Sequence, residues 1–343
     1  MKTIVVKLSE NRMNIFKKPL VSVILASFNH VLFIREAVMS VLDQSLDNLE
    51  LIVLDDGSTD GTPDVVEKIK DKRLKLIKLV PNRRFHPRNL GIKMARGKYI
   101  AFQNSDDVWL PNKLKLQVDW MEKNIQTSVC FTRIDMIDEK GKVIKNSWAH
   151  KNLVGENKNN DAWLRLFFTS GFNFGIASAV VRKDKLIKLG GFNESMVQMA
   201  DYDLWVRLAG LGQLHIIDKP LTKMRIVKGV NFSSPKKEVY LRSALENVEI
   251  VNRYTQWPIN QYLSSIFPDI MVKDNKSKNI QYVMLAKFAW SLKSAPHSLF
   301  ADQLIARLLN DPKASKEILE YFGADLKKKF IRRRGKLKLT INE

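Results

Sequence analysis

The sequence predicts an α/β fold, a mostly parallel sheet with helices on both faces, followed by an all-helical C-terminal module. Three observations carry this expectation. From residue 21 to residue 104, short apolar runs alternate with segments of helical apolar spacing. Polar clusters close three of those runs, at Ser27–His30, Asp55–Asp60 and Asn104–Asp107. Beyond Ser233-Ser234-Pro235 the apolar segments are spaced as helices. The expected division is a basic lead-in over residues 1–20, a sheet domain over 21–232 and a helical module with a basic tail over 233–343.

Val21 to Ala26 is an almost continuous apolar run and reads as the first strand. Val31 to Leu42 then places Ile34, Val38, Val41 and Leu42 at helical spacing. Leu49 to Leu54 is the second strand, and Pro63 opens a helix after it. Leu74 to Val80 is a third strand, and Arg88 to Arg96 a helix. Tyr99 to Phe102 is bounded by Gly97 and by Asn104, Ser105, Asp106 and Asp107, and reads as a buried strand. Pro111 suits the first turn of a helix reaching about Asn124. Ser128 to Ile144 reads as a strand pair turning at Glu139-Lys140-Gly141, and His150 to Asp161 as a polar loop. Asp161 to Phe168 is helical and Gly175 to Val181 a strand. Asp184 to Leu189 and Asp201 to Ala209 are helices parted by Gly190-Gly191, and Gln213 to Val227 returns to β. Helical spacing follows at Val239–Tyr254, Ile280–Leu292, Leu299–Leu309 and Ile318–Phe322.

Side-by-side parallel strands bring the three polar clusters to one sheet edge, where open α/β sheets bind their ligands. Asp106 and Asp107 there admit two readings: oxygen ligands for Mg²⁺ or Mn²⁺ on a diphosphate, or a helix-capping pair. Asp201 likewise is either a cap at a helix start or a general base on a rigid helix end. Trp205, one turn further on, would stand beside it.

Composition narrows the classes. The net charge of +21 attracts an anionic partner: nucleic acid, a phospholipid surface or a phosphorylated substrate. Cys130 is the one cysteine, so no intrachain disulfide forms, and it reads as a small buried apolar residue. Residues 1–18 are interrupted by charge too often for a signal peptide, and no apolar stretch is long enough to span a bilayer. A cytoplasmic protein, resting at the inner face of a membrane, is the expectation. Asp56 to Glu67 imitates a calcium loop, but a β-run precedes it and Pro63 falls inside it. The five histidines show no metal-ligand spacing, and no G-x-G-x-x-G follows the first strand.

Val21-Ser-Val-Ile-Leu-Ala-Ser-Phe-Asn29, Ser40-Val-Leu-Asp-Gln44 and Leu54-Asp-Asp-Gly-Ser-Thr-Asp-Gly-Thr62 resemble the nucleotide half of family 2 glycosyltransferases. Arg88-Asn-Leu-Gly-Ile92, Gly97-Lys-Tyr-Ile-Ala-Phe102, Ser105-Asp-Asp-Val-Trp109, Gly190-Gly-Phe-Asn-Glu194 and Asp201-Tyr-Asp-Leu-Trp-Val-Arg-Leu208 continue the series, in the family's order, over about Val21 to Val227. The resemblance implies a GT-A fold, an inverting mechanism, a nucleotide-diphosphate sugar donor such as a UDP-sugar, and Mg²⁺ or Mn²⁺. It implies Ala26 and Phe28 around the base, Asp56 on the base or ribose, Asp106 as metal ligand and Asp201 as catalytic base. Asn104 and Ser105 fall in the donor set beside Asp106, and Arg83 or Arg88 contacts the donor. Asn104, Ala200 and Ala26 depart from the commonest pattern, which offers acids at the first two positions and Pro at the third. There is no Gln-x-x-Arg-Trp block of the processive synthases, so one sugar per binding event is expected. The acceptor would be a glycan or lipid-linked hydroxyl in cell-surface polysaccharide or lipopolysaccharide synthesis. The basic run Lys327–Lys338 is either a contact with anionic lipid or a solvated, disordered terminus. Two competing classes are a nucleic-acid binder, disfavoured by Asp55, Asp56, Asp106, Asp107 and Asp201 meeting at the expected ligand edge, and a degenerate transferase that only binds glycans.

Overall fold

The computed structural model describes residues 18–79, 87–145, 156–171, 174–227, 237–271 and 277–335. The lead-in up to residue 17, Arg83, the first half of the polar loop (150–155), the Ser233–Pro235 boundary and residues 336–343 lie outside the described residues. Val21–Ser27 (β1), Leu49–Asp55 (β2), Leu74–Lys78 (β3) and Tyr99–Asn104 (β4) form a parallel half-sheet in the order β3-β2-β1-β4. The sheet continues through Val180–Arg182 (β7), Thr127–Ile137 (β6), Gln213–Arg225 (β8) and Val108–Trp109 (β5). β6 and β8 are parallel, while β7 and β5 run against their neighbours.

β1, β2 and β4 are buried on both faces, with side chains alternating between them, while β3 is a partly exposed edge strand. Val21, Val23 and Leu25 pack with Leu51 and Val53 against Ile34–Leu42 (α1) and Lys113–Lys123 (α4). Ile24, Ile52, Leu54 and Phe102 face the other way, toward Pro87–Met94 (α3), Asn160–Ser170 (α5) and Ala200–Ala209 (α7). Thr62–Glu67 (α2) and Lys183–Lys188 (α6) are short connectors. Gly91 on α3 is a close-packing position: an added Cβ would lie 2.6 Å from Ile24 and 3.0 Å from Leu54.

The C-terminal helices are Lys237–Asn252 (α8), Leu263–Ile266 (α9), Lys278–Ser291 (α10), Ala295–Asn310 (α11), Pro312–Phe322 (α12) and Ala324–Gly335 (α13). Their buried residues, among them Val251, Phe267, Leu285, Phe300 and Ile318, belong to the same apolar cluster as Ile24 and Phe102. α13 docks through Leu326 and Phe330, and Arg333 stands 4.9 Å over the Trp290 ring. Lys327, Lys328, Lys329 and Arg332 face solvent. The basic run is therefore a packed helix as far as Gly335, not the disordered terminus of the alternative reading. No helix among the described residues is long and apolar enough to cross a membrane.

Three expectations need correction. Gly175–Val181 is not one strand: Ile176–Ser178 is a 3₁₀ turn and only Val180–Arg182 joins the sheet. Ser178 donates both its N–H (3.0 Å) and its hydroxyl (2.7 Å) to the Gly175 carbonyl, which winds the chain up. The expected hairpin turns where predicted, with Gly141 at φ +81°, but its return arm contributes a single bridge, Val143 to Ile137. Pro111 precedes its helix by two residues, because Val108–Trp109 first pairs with Thr222–Lys223 as β5. Cys130 is fully buried, and burial pushes its thiol up to about 12. Lys113 is also fully buried, its Nζ 2.9 Å from Gln117 Oε1 and 4.0 Å over the Trp109 ring. Burial pulls its amine down to about 7.

Candidate active site

Register fixes which residues meet. Ala26 lies opposite Leu54 on one side and Asn104 on the other, so the chain leaves β1, β2 and β4 along one edge. The two loops that follow β1 and β2 are laced together. The Asn29 N–H donates to Ser58 Oγ (2.9 Å), and Asn29 Oδ1 accepts the Thr59 N–H (2.8 Å). The Val31 N–H donates to Asp60 (2.9 Å), which also accepts the Thr62 N–H and hydroxyl. Asp55 is buried, accepting the Ser27 hydroxyl (3.0 Å) and the Ser58 hydroxyl (2.6 Å) and N–H (2.8 Å).

Asp55 and Asp60 are thus spent on the loops themselves. The sequence expectation that Asp55 joins the ligand-facing acids is corrected: its oxygens are taken up by Ser27 and Ser58. Asp56 is the acid left over. Its Oδ1 is buried with no hydrogen-bond partner among the described residues, and burial, then Asp55, raises its pKa. Buried acceptors are normally satisfied, so this oxygen suits an N–H or hydroxyl of a ligand. Phe28 stands exposed above the β1 end, in keeping with a face for a nucleobase.

The β4 end is built around Arg225, the last residue of β8, which the sequence reading did not single out. Its guanidinium donates to the carbonyls of Asp106 (2.9 Å), Asp138 (3.0 Å) and Glu139 (3.0 Å) and pairs with Glu36 (2.6 Å). Its backbone N–H donates to Asp107 (2.9 Å). Asp107 also accepts the Asn104 amide (2.9 Å) and is almost fully buried; burial and neighbouring Asp106 raise it to about 7. Asp107 is therefore a brace for the loop. Neither it nor Asp106 caps α4, whose start at Lys113 excludes the capping reading.

Asn104 bridges two unlike groups: its amide nitrogen donates to Asp107, and its oxygen accepts from Arg88 (3.0 Å). Aspartate could not make the first of these bonds, which accounts for the departure from two acids. Ser105 is buried, its hydroxyl 2.6 Å from His30 Nδ1. That leaves Asp106, whose carboxylate receives no hydrogen bond from another described residue. Burial raises its pKa, opposed by the fields of His30, Arg225 and Arg88.

Asp201 enters from the far side, as the second residue of α7. It is half-buried and accepts the Tyr202 N–H (2.8 Å). Its meeting with Asp106 is visible through Arg88. Burial lowers that guanidinium's pKa, while Asp201, Asp106 and Asp107 together oppose the shift. Arg88 Nε is buried and unpartnered among the described residues. Next to it, Asn89 reads Phe192 in both directions, its amide donating to the Phe192 carbonyl (3.0 Å) and its oxygen accepting the Phe192 N–H (2.8 Å). This ties the Arg88–Ile92 block to the Gly190–Glu194 block, and the fields of both acids reach Arg88 at this edge, the candidate cleft. Trp205 follows Asp201 by one turn of α7, and its indole is committed to the core. It is fully buried, donates to the Phe174 carbonyl (2.9 Å) and meets Phe131 edge-on at 5.0 Å.

Among the described residues there is no cluster of three or more metal-ligating side chains. The donor set still fits a divalent ion of the magnesium kind, which takes one or two protein carboxylates and fills its shell with phosphate and water. Asp106 offers one uncommitted, ligand-facing carboxylate whose charge is disfavoured by burial, and a cation would relieve that.

The sequence profile of Glycosyl transferase family 2 matches residues 22–184. An uncharacterized glycosyltransferase of Rickettsia felis is 31% identical over 270 residues, covering 76% of this chain and 43% of that protein. The chain thus spans less than half the length of the Rickettsia relatives it matches. The Escherichia coli UDP-Glc:alpha-D-GlcNAc-diphosphoundecaprenol beta-1,3-glucosyltransferase WfgD is 33% identical over 190 residues, covering 55% of this chain and 69% of WfgD. Among solved structures, S. aureus TarS 1-349 in complex with UDP-GlcNAc has a TM-score of 0.53 at 20% identity over 89% of each chain, a likeness of fold. A mixed α/β sheet with acids at this edge and relatives of this kind define a glycosyltransferase. The chain belongs to glycosyltransferase family 2, with a GT-A fold and a helical C-terminal region. Members of the family generally use a divalent metal.

Proposed function

We propose that this chain moves one sugar from a UDP-sugar to a hydroxyl of a lipid-linked or glycan acceptor, inverting the anomeric carbon, in cell-surface polysaccharide or lipopolysaccharide synthesis. The carrying observation is that Asp106, two residues past β4, and Asp201, at the start of α7, both act by charge on the buried guanidinium of Arg88, which Asn104 holds at the β4 end. WfgD, whose name pairs UDP-Glc with a diphosphoundecaprenol-linked acceptor, supports the substrate classes. We place the donor half at residues 21–232 and the acceptor-facing helices from 233, in the cytoplasm.

Ala26 and Phe28 flank the base, and the orphan oxygen of Asp56 accepts from the base or the ribose. Arg88 directs its free N–H at the donor, while Asn104 and Ser105 hold the loop beneath it. Asp106, with oxygens of the diphosphate, would hold a divalent ion, which when bound neutralises charge on the departing nucleotide. Asp201 takes the proton of the acceptor hydroxyl as its oxygen attacks the face opposite the diphosphate. With no Gln-x-x-Arg-Trp block, product leaves after one transfer.

Thermal-shift screening of UDP-sugars with Mn²⁺ identifies the donor, and anomeric NMR of the product reads the stereochemistry. Asp201→Asn is expected to cut kcat by ~10²-fold or more with donor affinity kept. A loss smaller than tenfold would reject Asp201 as the base. Failure to turn over any nucleotide sugar would favour the glycan-binding reading that Asn104 and Ala200 suggest.

A further inference from the structure

α7 begins without a cap of its own. Met199 stands at its N-cap position and contributes no side-chain hydrogen bond. The backbone amides that lead into it are instead collected by a carboxylate from the helical region. Glu246, on α8 and only 6% exposed, accepts the N–H of Val197 at 2.9 Å, of Gln198 at 2.9 and 3.1 Å, and of Met199 at 2.7 Å. Three consecutive amides converging on one buried carboxylate form a charge-assisted cradle, stronger than neutral hydrogen bonds. Its negative end also faces the positive pole of α7.

A second tie lies on the other side of Asp201. Asp203, fully buried, accepts from Arg253 just beyond α8 (2.7 Å) and from Arg207 (2.7 Å). The turn bearing Asp201 is thus held from the helical region both before and after that residue, although 47 residues separate Met199 from Glu246. The Arg253 tie is built through a buried ion pair inside α7. The Glu246 tie acts on bare backbone, so it sets where the helix starts.

We propose that Glu246 is a positioning residue for Asp201: by clamping the amides of Val197, Gln198 and Met199 it fixes the height at which the Asp201 carboxylate meets the acceptor. The proposal rests on the reading of Asp201 as the base. It also gives the helical region a part in the chemistry that the donor half cannot supply alone.

The test uses the full chain with Glu246→Gln and Glu246→Asp. Glutamine keeps the shape but turns an N–H₂ toward amide donors, and aspartate keeps the charge on a shorter stem. Backbone hydrogen exchange across 195–203 is measured with UDP affinity, and with kcat and KM for UDP-glucose turnover. The expected result for Glu246→Gln is at least tenfold faster exchange at 197–199, unchanged exchange in β1 and β4, unchanged UDP affinity, and a ten- to hundredfold fall in kcat at constant KM. Glu246→Asp should recover part of both losses. Unchanged exchange at 197–199 overturns the clamp. Lost protection with kcat intact overturns the positioning role, as does a fall in kcat that only follows global unfolding. Asp201→Asn run in parallel separates the two ideas. Full activity there rejects the base, while the exchange measurement still judges the clamp without a substrate.

Discussion

At the scale of single residues, the cleft owes its shape to buried polar groups with long-range partners. Arg225 is the clearest. It is 2% exposed and ties the Asp106 carbonyl to those of Asp138 and Glu139, so Arg225→Met cuts the loop after β4 from the turn after β6 and leaves the Asp106 carbonyl without its donor. A loss of about 3 kcal/mol or more in urea unfolding is expected, and a loss under ~1 kcal/mol would mean that the loops hold themselves. Lys113 gives a pH signature. Its amine titrates near 7 when folded against 10.5 when exposed. Between those values the unfolded chain binds the extra proton, so stability rises with pH across that window and the penalty is complete below it. Lys113→Met removes that dependence. The variant's melting temperature relative to wild type should therefore fall steadily from pH 7 to pH 10, and a constant difference would reject the neutral buried amine.

At the scale of elements, the motif glycines and asparagines are packing devices. Gly91 lets α3 lie directly on β1 and β2, and Asn89 staples α3 to the Phe192 turn. Gly91→Ala should cost about 1–3 kcal/mol through overpacking against Ile24 and Leu54, read from the unfolding midpoint. The parallel strands were legible because burial on both faces writes continuous apolar runs, and Asp106 and Asp201 stood out because strand ends and helix starts are marked locally. Helical spacing set Trp205 one turn from Asp201 but could not say that its indole N–H is spent on the Phe174 carbonyl in the core. Gly175–Val181 misled because small, β-branched residues suit a strand until Ser178 hydrogen-bonds back. Arg225 and Glu246 left no signal: each works on a segment far along the chain, and neither partner is predictable without the fold.

At the scale of the molecule, one apolar core runs from the sheet into the C-terminal helices, so the helical region braces the cleft as well as flanking it. The net charge of +21 meets an ordered feature in α13, which is fixed by Leu326, Phe330 and Arg333 and turns Lys327, Lys328, Lys329 and Arg332 outward. That face suits an anionic lipid surface, with ~1 kcal/mol expected per basic residue close to it. Replacing Lys327, Lys328 and Arg332 with Glu should abolish flotation with phosphatidylglycerol vesicles while leaving the unfolding midpoint within a degree or two. Equal flotation would place any membrane contact elsewhere.

The lone thiol has a practical consequence. Cys130 is sealed in the sheet and held protonated at neutral pH, so it will not compete for maleimide reagents in the folded protein. A cysteine introduced at Phe28, or on an exposed position of α8, would be the sole reactive handle on the native chain. Paired fluorophores at two such handles would then report, molecule by molecule, whether the two sides of the cleft draw together when a donor arrives.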